Sequence, residues 1–141
     1  MRRLLTLSSS FTFSSGHAIF SCIRMTKANK YHKLNDKYLR DAEDLLQKGD
    51  FVQASEKFWG AAAEIVKAIA AERGKNIRSH EGIYSFADKL SDEIGDPEII
   101  KLFGLASALH QNFYENWLSP KIVAKYGEAV KELVSKLGGI Q

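Results

Sequence analysis

The chain has little of what staples or punctuates a small protein: its 141 residues include one cysteine and two prolines. A single thiol closes no intramolecular disulfide, which excludes a disulfide-stapled scaffold and a multi-cysteine zinc site. So few prolines, together with the lack of any long apolar run, exclude collagen-like, low-complexity and membrane-spanning organisations. Phosphate-binding glycine loops, His-Glu-x-x-His and nucleophile elbows are absent. No Glu-x-x-His pair falls on a helical segment, which argues against a di-iron carboxylate bundle. The expectation is therefore no metal and no cofactor. What is present, 45% hydrophobic and 26% charged residues, suits one folded domain with a real core.

A formal charge of +3 suggests a nucleic-acid partner until it is located. Residues 1–24 contain Arg2, Arg3 and Arg24, no acid, six serines and the lone Cys22. Without them Lys+Arg falls from 20 to 17 and equals Asp+Glu at 17. A neutral domain has no general attraction for polyphosphate. The segment has a basic start, but Ser8 to Ser10 and Ser14 to Gly16 interrupt its apolar middle, and no small-residue cleavage site follows. An organelle presequence fits the composition. The reading we favour is an extension outside the folded domain, with Met25 as the natural start and 25–141 as a cytoplasmic helical domain.

From Tyr31 the apolar spacing is helical: Leu34, Tyr38, Ala42 and Leu45 form a stripe widened by Leu39 and Leu46. Gly49 suits a left-handed helix end, and Asp50 caps the next helix with Gln53 at capping-box spacing. So short a connection makes an antiparallel hairpin. The second segment, Phe51 to about Arg73, is apolar on most sides and must be central; Glu56, Lys57, Glu64 and Lys67 are its expected solvent contacts. A third helix presents Ile83, Phe86, Ala87, Leu90 and Ile94. Asp96-Pro97 and Ser119-Pro120 each read as cap plus first-turn proline. They open a fourth helix reaching about Leu118, with Trp117 on its core stripe, and a fifth carrying Val123, Tyr126, Val130, Leu133 and Leu137. No segment alternates as a strand would. The fold class is all-α, an antiparallel up-and-down bundle of four to five helices.

The histidines are the chemical candidates, because imidazole titrates near neutrality. His110 lies in Leu109-His110-Gln111-Asn112-Phe113-Tyr114-Glu115. One reading makes His110 a general acid/base or ligand contact, supported by Asn112, Tyr114 and Glu115; the other makes it a hydrogen-bonded histidine at the core edge. His80, in Ser79-His80-Glu81, is a second binding candidate placed to reach the fourth helix, or else a cap-region residue. Trp59 and Trp117 read as core anchors, and Tyr31-His32-Lys33 as a solvated helix start.

The run Leu39-Arg40-Asp41-Ala42-Glu43-Asp44-Leu45-Leu46-Gln47-Lys48-Gly49-Asp50-Phe51, followed by Gln53 to Lys57 and Ala62 to Ala68, resembles the first two helices of the HEPN superfamily. Ser79-His80-Glu81-Gly82 is similar to the start of its third helix. Leu109 to Glu115 and Lys57-Phe58-Trp59-Gly60-Ala61 are closest to its archaeal PaREP-type branch. The resemblance spans roughly Tyr31 to Leu137. It implies a helical bundle, often a homodimer, linked to RNA cleavage, toxin–antitoxin pairs or a partner nucleotidyltransferase. Ribonuclease members use an Arg followed a few residues later by a His on a late helix. Here His110 stands where that Arg would, no His follows it, and Gly74 separates Arg73 from His80. The resulting expectation is a catalytically degenerate binding or interaction module, with RNA a partner by resemblance only. The alternative is an RNA-directed nuclease or toxin–antitoxin component using His110. A tetratricopeptide-like adaptor is a weaker third, since Gly49-Asp50-Phe51 forms one hairpin without the roughly 34-residue repeat.

Mass spectrometry of the natively produced protein should yield an N-terminal peptide beginning at Met25; a peptide starting upstream refutes that assignment.

Overall fold

The computed structural model describes residues 26–140; the expectations for residues 1–24, Cys22 included, lie outside the described residues. Five helices follow one another: α1 Lys27–Lys48, α2 Phe51–Glu72, α3 His80–Ile94, α4 Glu98–Glu115 and α5 Pro120–Gly138. There is no strand among the described residues, and the helices pack as the expected all-α bundle. No helix among these residues is long and apolar enough to cross a membrane.

Local chemistry sets most boundaries. Thr26 accepts the Asn29 amide and starts α1 four residues before the apolar stripe begins at Tyr31's level. Gly49 takes φ 81° and sends its amide back to Leu45 and Leu46, and the Asp50 side chain accepts from Gln53 N at 3.1 Å. The chain thus reverses within two residues, as expected. Gly95 repeats the left-handed exit at φ 74°, and Ser119 caps α5 ahead of Pro120. At the start of α4 the expected register is off by one: Pro97 is the backbone cap, while the Asp96 carboxylate bonds Glu98 N at 3.0 Å from outside. Lys136 reaches the same carboxylate at 2.7 Å, and these two donors hold the Asp96 pKa below its ordinary value.

α2 is the hub. It packs against all four other helices, and buries Phe58, Trp59, Ala61, Ala62, Ala63, Ile65, Val66, Ala68, Ile69 and Ala70. Its small residues let neighbours approach closely. The converse holds on α5, where a methyl group at buried Gly127 would lie 2.6 Å from the Phe58 ring. Residues Ile83, Phe86, Leu90, Ile99, Phe103, Leu109, Val123, Val130, Leu133 and Leu137 close the core. α1 is the polar outer member: only Ala28, Asn35 and Ala42 are buried on it, and Asn35 donates from Nδ2 to the Ala61 carbonyl at 2.6 Å. His32 is no mere solvated start, since it meets Glu72 of α2 at 3.0 Å.

Three expected core or surface positions are reversed. α4 stops at Glu115 rather than Leu118, because Asn116 turns left-handed at φ 51° and its amide bonds Asn112 O. Trp117 therefore leaves the helix and is 61% exposed instead of anchoring the core. Ile94, beside the Gly95 exit, is exposed as well. Glu64, expected in solvent, is 8% exposed.

Gly127→Ala should lower stability by about 1–3 kcal/mol, the usual cost of overpacking a filled core. Gly104→Ala, in an exposed helix interior with open space around it, should gain up to about 1 kcal/mol. Urea unfolding of both variants checks the contrast.

Candidate functional site

The N-terminal end of α3 and the C-terminal half of α4 converge over the first half of α2. Ser79 caps α3 through the Gly82 amide at 3.0 Å and so sets His80 as the first helical residue. His80 then lies against His110 of α4, ring centroids 5.0 Å apart and planes 24° from parallel. Beneath both is Trp59, almost fully buried, stacked at 5.6 Å on His80 and 4.9 Å on His110. Tyr114 closes edge-on against His110 at 5.4 Å. Phe103 meets Trp59 edge-on from the core side, so the indole is held from below and offers its face to the imidazoles.

Glu56, one turn before Trp59, brings Oε1 to 2.8 Å from His110 Nδ1. An ionised carboxylate only accepts, so Nδ1 carries a proton and donates it, leaving Nε2 for other partners. This orients the ring and fixes its tautomer, as a carboxylate does for a catalytic or ligand-binding imidazole.

Glu56, Trp59 and His80 also line a cleft of about 350 Å³. Its floor is the face of α2 that carries Gln53, Lys57, Gly60, Ala63, Glu64 and Lys67; Tyr38 of α1 forms one wall, and Arg78, His80 and Ile83 the other. Gly60 is required here, since a methyl group would lie 2.9 Å from the Tyr38 ring. Lys57 sits 4.9 Å over that ring and 3.8 Å from Asp41. Tyr84 flanks Trp59, its hydroxyl bonded to Ser107 Oγ, and burial pushes its pKa up. No group of three or more His, Cys, Asp or Glu able to hold a metal occurs among the described residues.

Family and fold comparisons agree. The model of the archaeal PaREP1/PaREP8 family matches residues 30–134. The chain belongs to that family. The crystal structure of a Sulfolobus solfataricus protein superposes on this PaREP1/PaREP8 chain with a TM-score of 0.67 and 31% identity, covering 75% of this chain and 94% of the other. No curated protein matches it.

Of the sequence-derived site residues of this PaREP1/PaREP8 chain, the structure brings together His80, His110 and Tyr114, and separates Asn112 and Glu115 from them. Asn112 is 1% exposed and turned inward. Its Nδ2 donates to Ser55 Oγ at 2.9 Å, and its Oδ1 accepts the Trp117 and Leu118 amides at 2.8 and 2.7 Å. It holds the end of α4 and takes no part in the cleft. Glu115 is exposed and has no hydrogen bond or ion pair among the described residues. The carboxylate at the imidazole is Glu56, 54 residues earlier in the chain. Its one legible signal is the spacing of Glu56, Trp59, Gly60 and Glu64 along one side of α2.

Asn112→Ala should cost about 1–3 kcal/mol by removing the acceptor of two part-buried amides and the donor to the buried Ser55 hydroxyl. Glu115→Ala should stay within about 0.5 kcal/mol of the parent. Thermal denaturation of both separates the two roles.

Proposed function

We propose that this PaREP1/PaREP8 chain is a HEPN-like helical binding module without nuclease chemistry, acting as a homodimer, with the cleft beside Trp59 as its ligand site. The observation that carries the reading is the cleft itself. Its lining combines Lys57, Lys67 and Arg78 with Glu56 and Glu64, and three of its residues, Glu56, Trp59 and His80, are also the ones that contact His110. Concave sites are where small molecules bind, and a lining with five charged side chains suits a polar ligand. Asn112 and Glu115, the groups expected to assist His110 in acid/base work, lie outside it. The homodimer rests on the HEPN resemblance, with the exposed Tyr114 and Trp117 as apolar surface for a second copy. A nucleotidyltransferase partner rests on that resemblance alone.

One observation favours a second reading. Two imidazoles 5.0 Å apart, one oriented by a carboxylate, form an acid/base pair of the kind that cleaves phosphodiesters; RNA would then be the substrate.

A screen of small metabolites by amide chemical-shift mapping should find compounds whose shifts cluster at Gln53, Gly60, Lys67, Arg78 and His80, and RNA incubated with the protein should remain intact. A screen in which no compound moves these amides overturns the binding reading. RNA cleavage abolished in a folded His110→Ala variant establishes the second reading instead.

A further inference from the structure

Glu64 is the buried group of the cleft whose polar needs are not met among the described residues. It is buried in the middle of α2, forms part of the cleft lining, and its Oε1 is inaccessible and has no hydrogen-bond partner among the described residues. Its Oε2 faces Lys67 Nζ at 3.3 Å. A buried carboxylate oxygen without a donor is costly, and native folds rarely keep one without a reason. Neither Phe58 nor Val66, which share the helix, supplies a donor, and an alanine or glutamine at this position would remove the charge.

The other charges in the cleft narrow what a donor there would belong to. Lys57 is engaged with Asp41 and the Tyr38 ring, and Lys67 with Glu64 and the Tyr31 ring. Arg78, on the opposite wall, has no ion pair or hydrogen bond among the described residues. The cleft therefore presents a buried carboxylate oxygen short of a donor and an exposed guanidinium with no protein acceptor among the described residues. The lining carries both signs, Lys57, Lys67 and Arg78 against Glu56 and Glu64, with Asp41 beside Lys57, so a ligand bearing both charges is matched best. A volume of about 350 Å³ lies at the small end of ligand sites, which suits an amino-acid-sized molecule and excludes a polymer held entirely within it.

We infer that the cleft binds a small zwitterion of the amino-acid type, its ammonium or guanidinium donating to Glu64 and its carboxylate received by Arg78. This rests on the cleft being the ligand site proposed above. Lys67, a long side chain 27% exposed, swings aside as the ligand's cation reaches the carboxylate. Tyr38, Trp59 and Ile83 supply apolar contact for the ligand's carbon skeleton.

The test is calorimetric titration of the full chain with the twenty common L-amino acids and the ω-amino acids from glycine to 6-aminohexanoate. Each binder is then compared with its analogues lacking the amine or the carboxylate. At least one zwitterion should bind, with both analogues at least tenfold weaker. Glu64→Gln and Arg78→Gln, with helical content unchanged by circular dichroism, should each weaken binding at least tenfold. Lys67→Gln should bind as well as the parent or better, because it leaves the carboxylate in place and frees Oε2. The inference is overturned if no zwitterion binds, if the deaminated analogue binds equally, or if Lys67→Gln loses as much as Glu64→Gln, which would make the Lys67–Glu64 pair merely structural. Metabolites of another class that still shift the cleft amides would leave the binding-module reading standing while removing the zwitterion.

Discussion

The bundle depends on burying α2 on nearly every side. A helix that places Phe58, Trp59, Ile65, Val66 and Ile69 around its circumference exposes apolar surface unless it is surrounded, and each fully buried large side chain is worth about 1.5–3 kcal/mol. Four helices surround it, and the rest of the architecture is the means of bringing them there. The two-residue Gly49-Asp50 reversal lays α1 along one side. Gly127 lets α5 ride directly on Phe58. α3 and α4 cover the Trp59 side.

The same constraint creates the candidate site. Surrounding α2 with helices of limited length leaves a strip between α1 and the start of α3, where Gly60 and Ala63 form the floor. Polar groups carried on α2 among its apolar residues have two fates. Ser55 is enclosed between helices and takes its partners from Phe51 O and Asn112. Glu56 and Glu64 fall at the strip, where one finds His110 and the other is left with an oxygen unmatched. Trp59, seated between Phe103 and the imidazoles, joins the core to the site, so the stack that orients His80 and His110 is as rigid as the interior beneath it.

Much of the fold was legible because helix boundaries are written in short-range chemistry. Gly49, Asp50, Gly95, Ser119 and Pro120 act within one turn, and the structure uses each as expected. The errors lie where a side chain acts beyond its own helical turn or packing overrides the local pattern. Trp117 has the right spacing for the α4 stripe, but Asn112 accepts the Trp117 and Leu118 amides and turns the chain out first. Glu64 sits beside Lys67 in a pattern that resembles a solvated pair, and the pair forms, yet packing around α2 buries the carboxylate. Glu56 was missed as a site residue because its spacing with Trp59, Gly60 and Glu64 is a faint signal on a helix apolar on most sides, which has no single polar face by which to orient it.

The sequence by itself determined the helical class, most helix boundaries and the centrality of α2, and it singled out His80 and His110 as candidates, because capping, periodicity and residue chemistry are local properties. Only the tertiary structure decided that Glu56, and neither Asn112 nor Glu115, is the carboxylate or amide partner of His110. It alone decided that Trp59 lies under both imidazoles and that Glu64 is enclosed. Those outcomes depend on which faces of three helices meet, and that is set by the joint packing of side chains far apart in the chain.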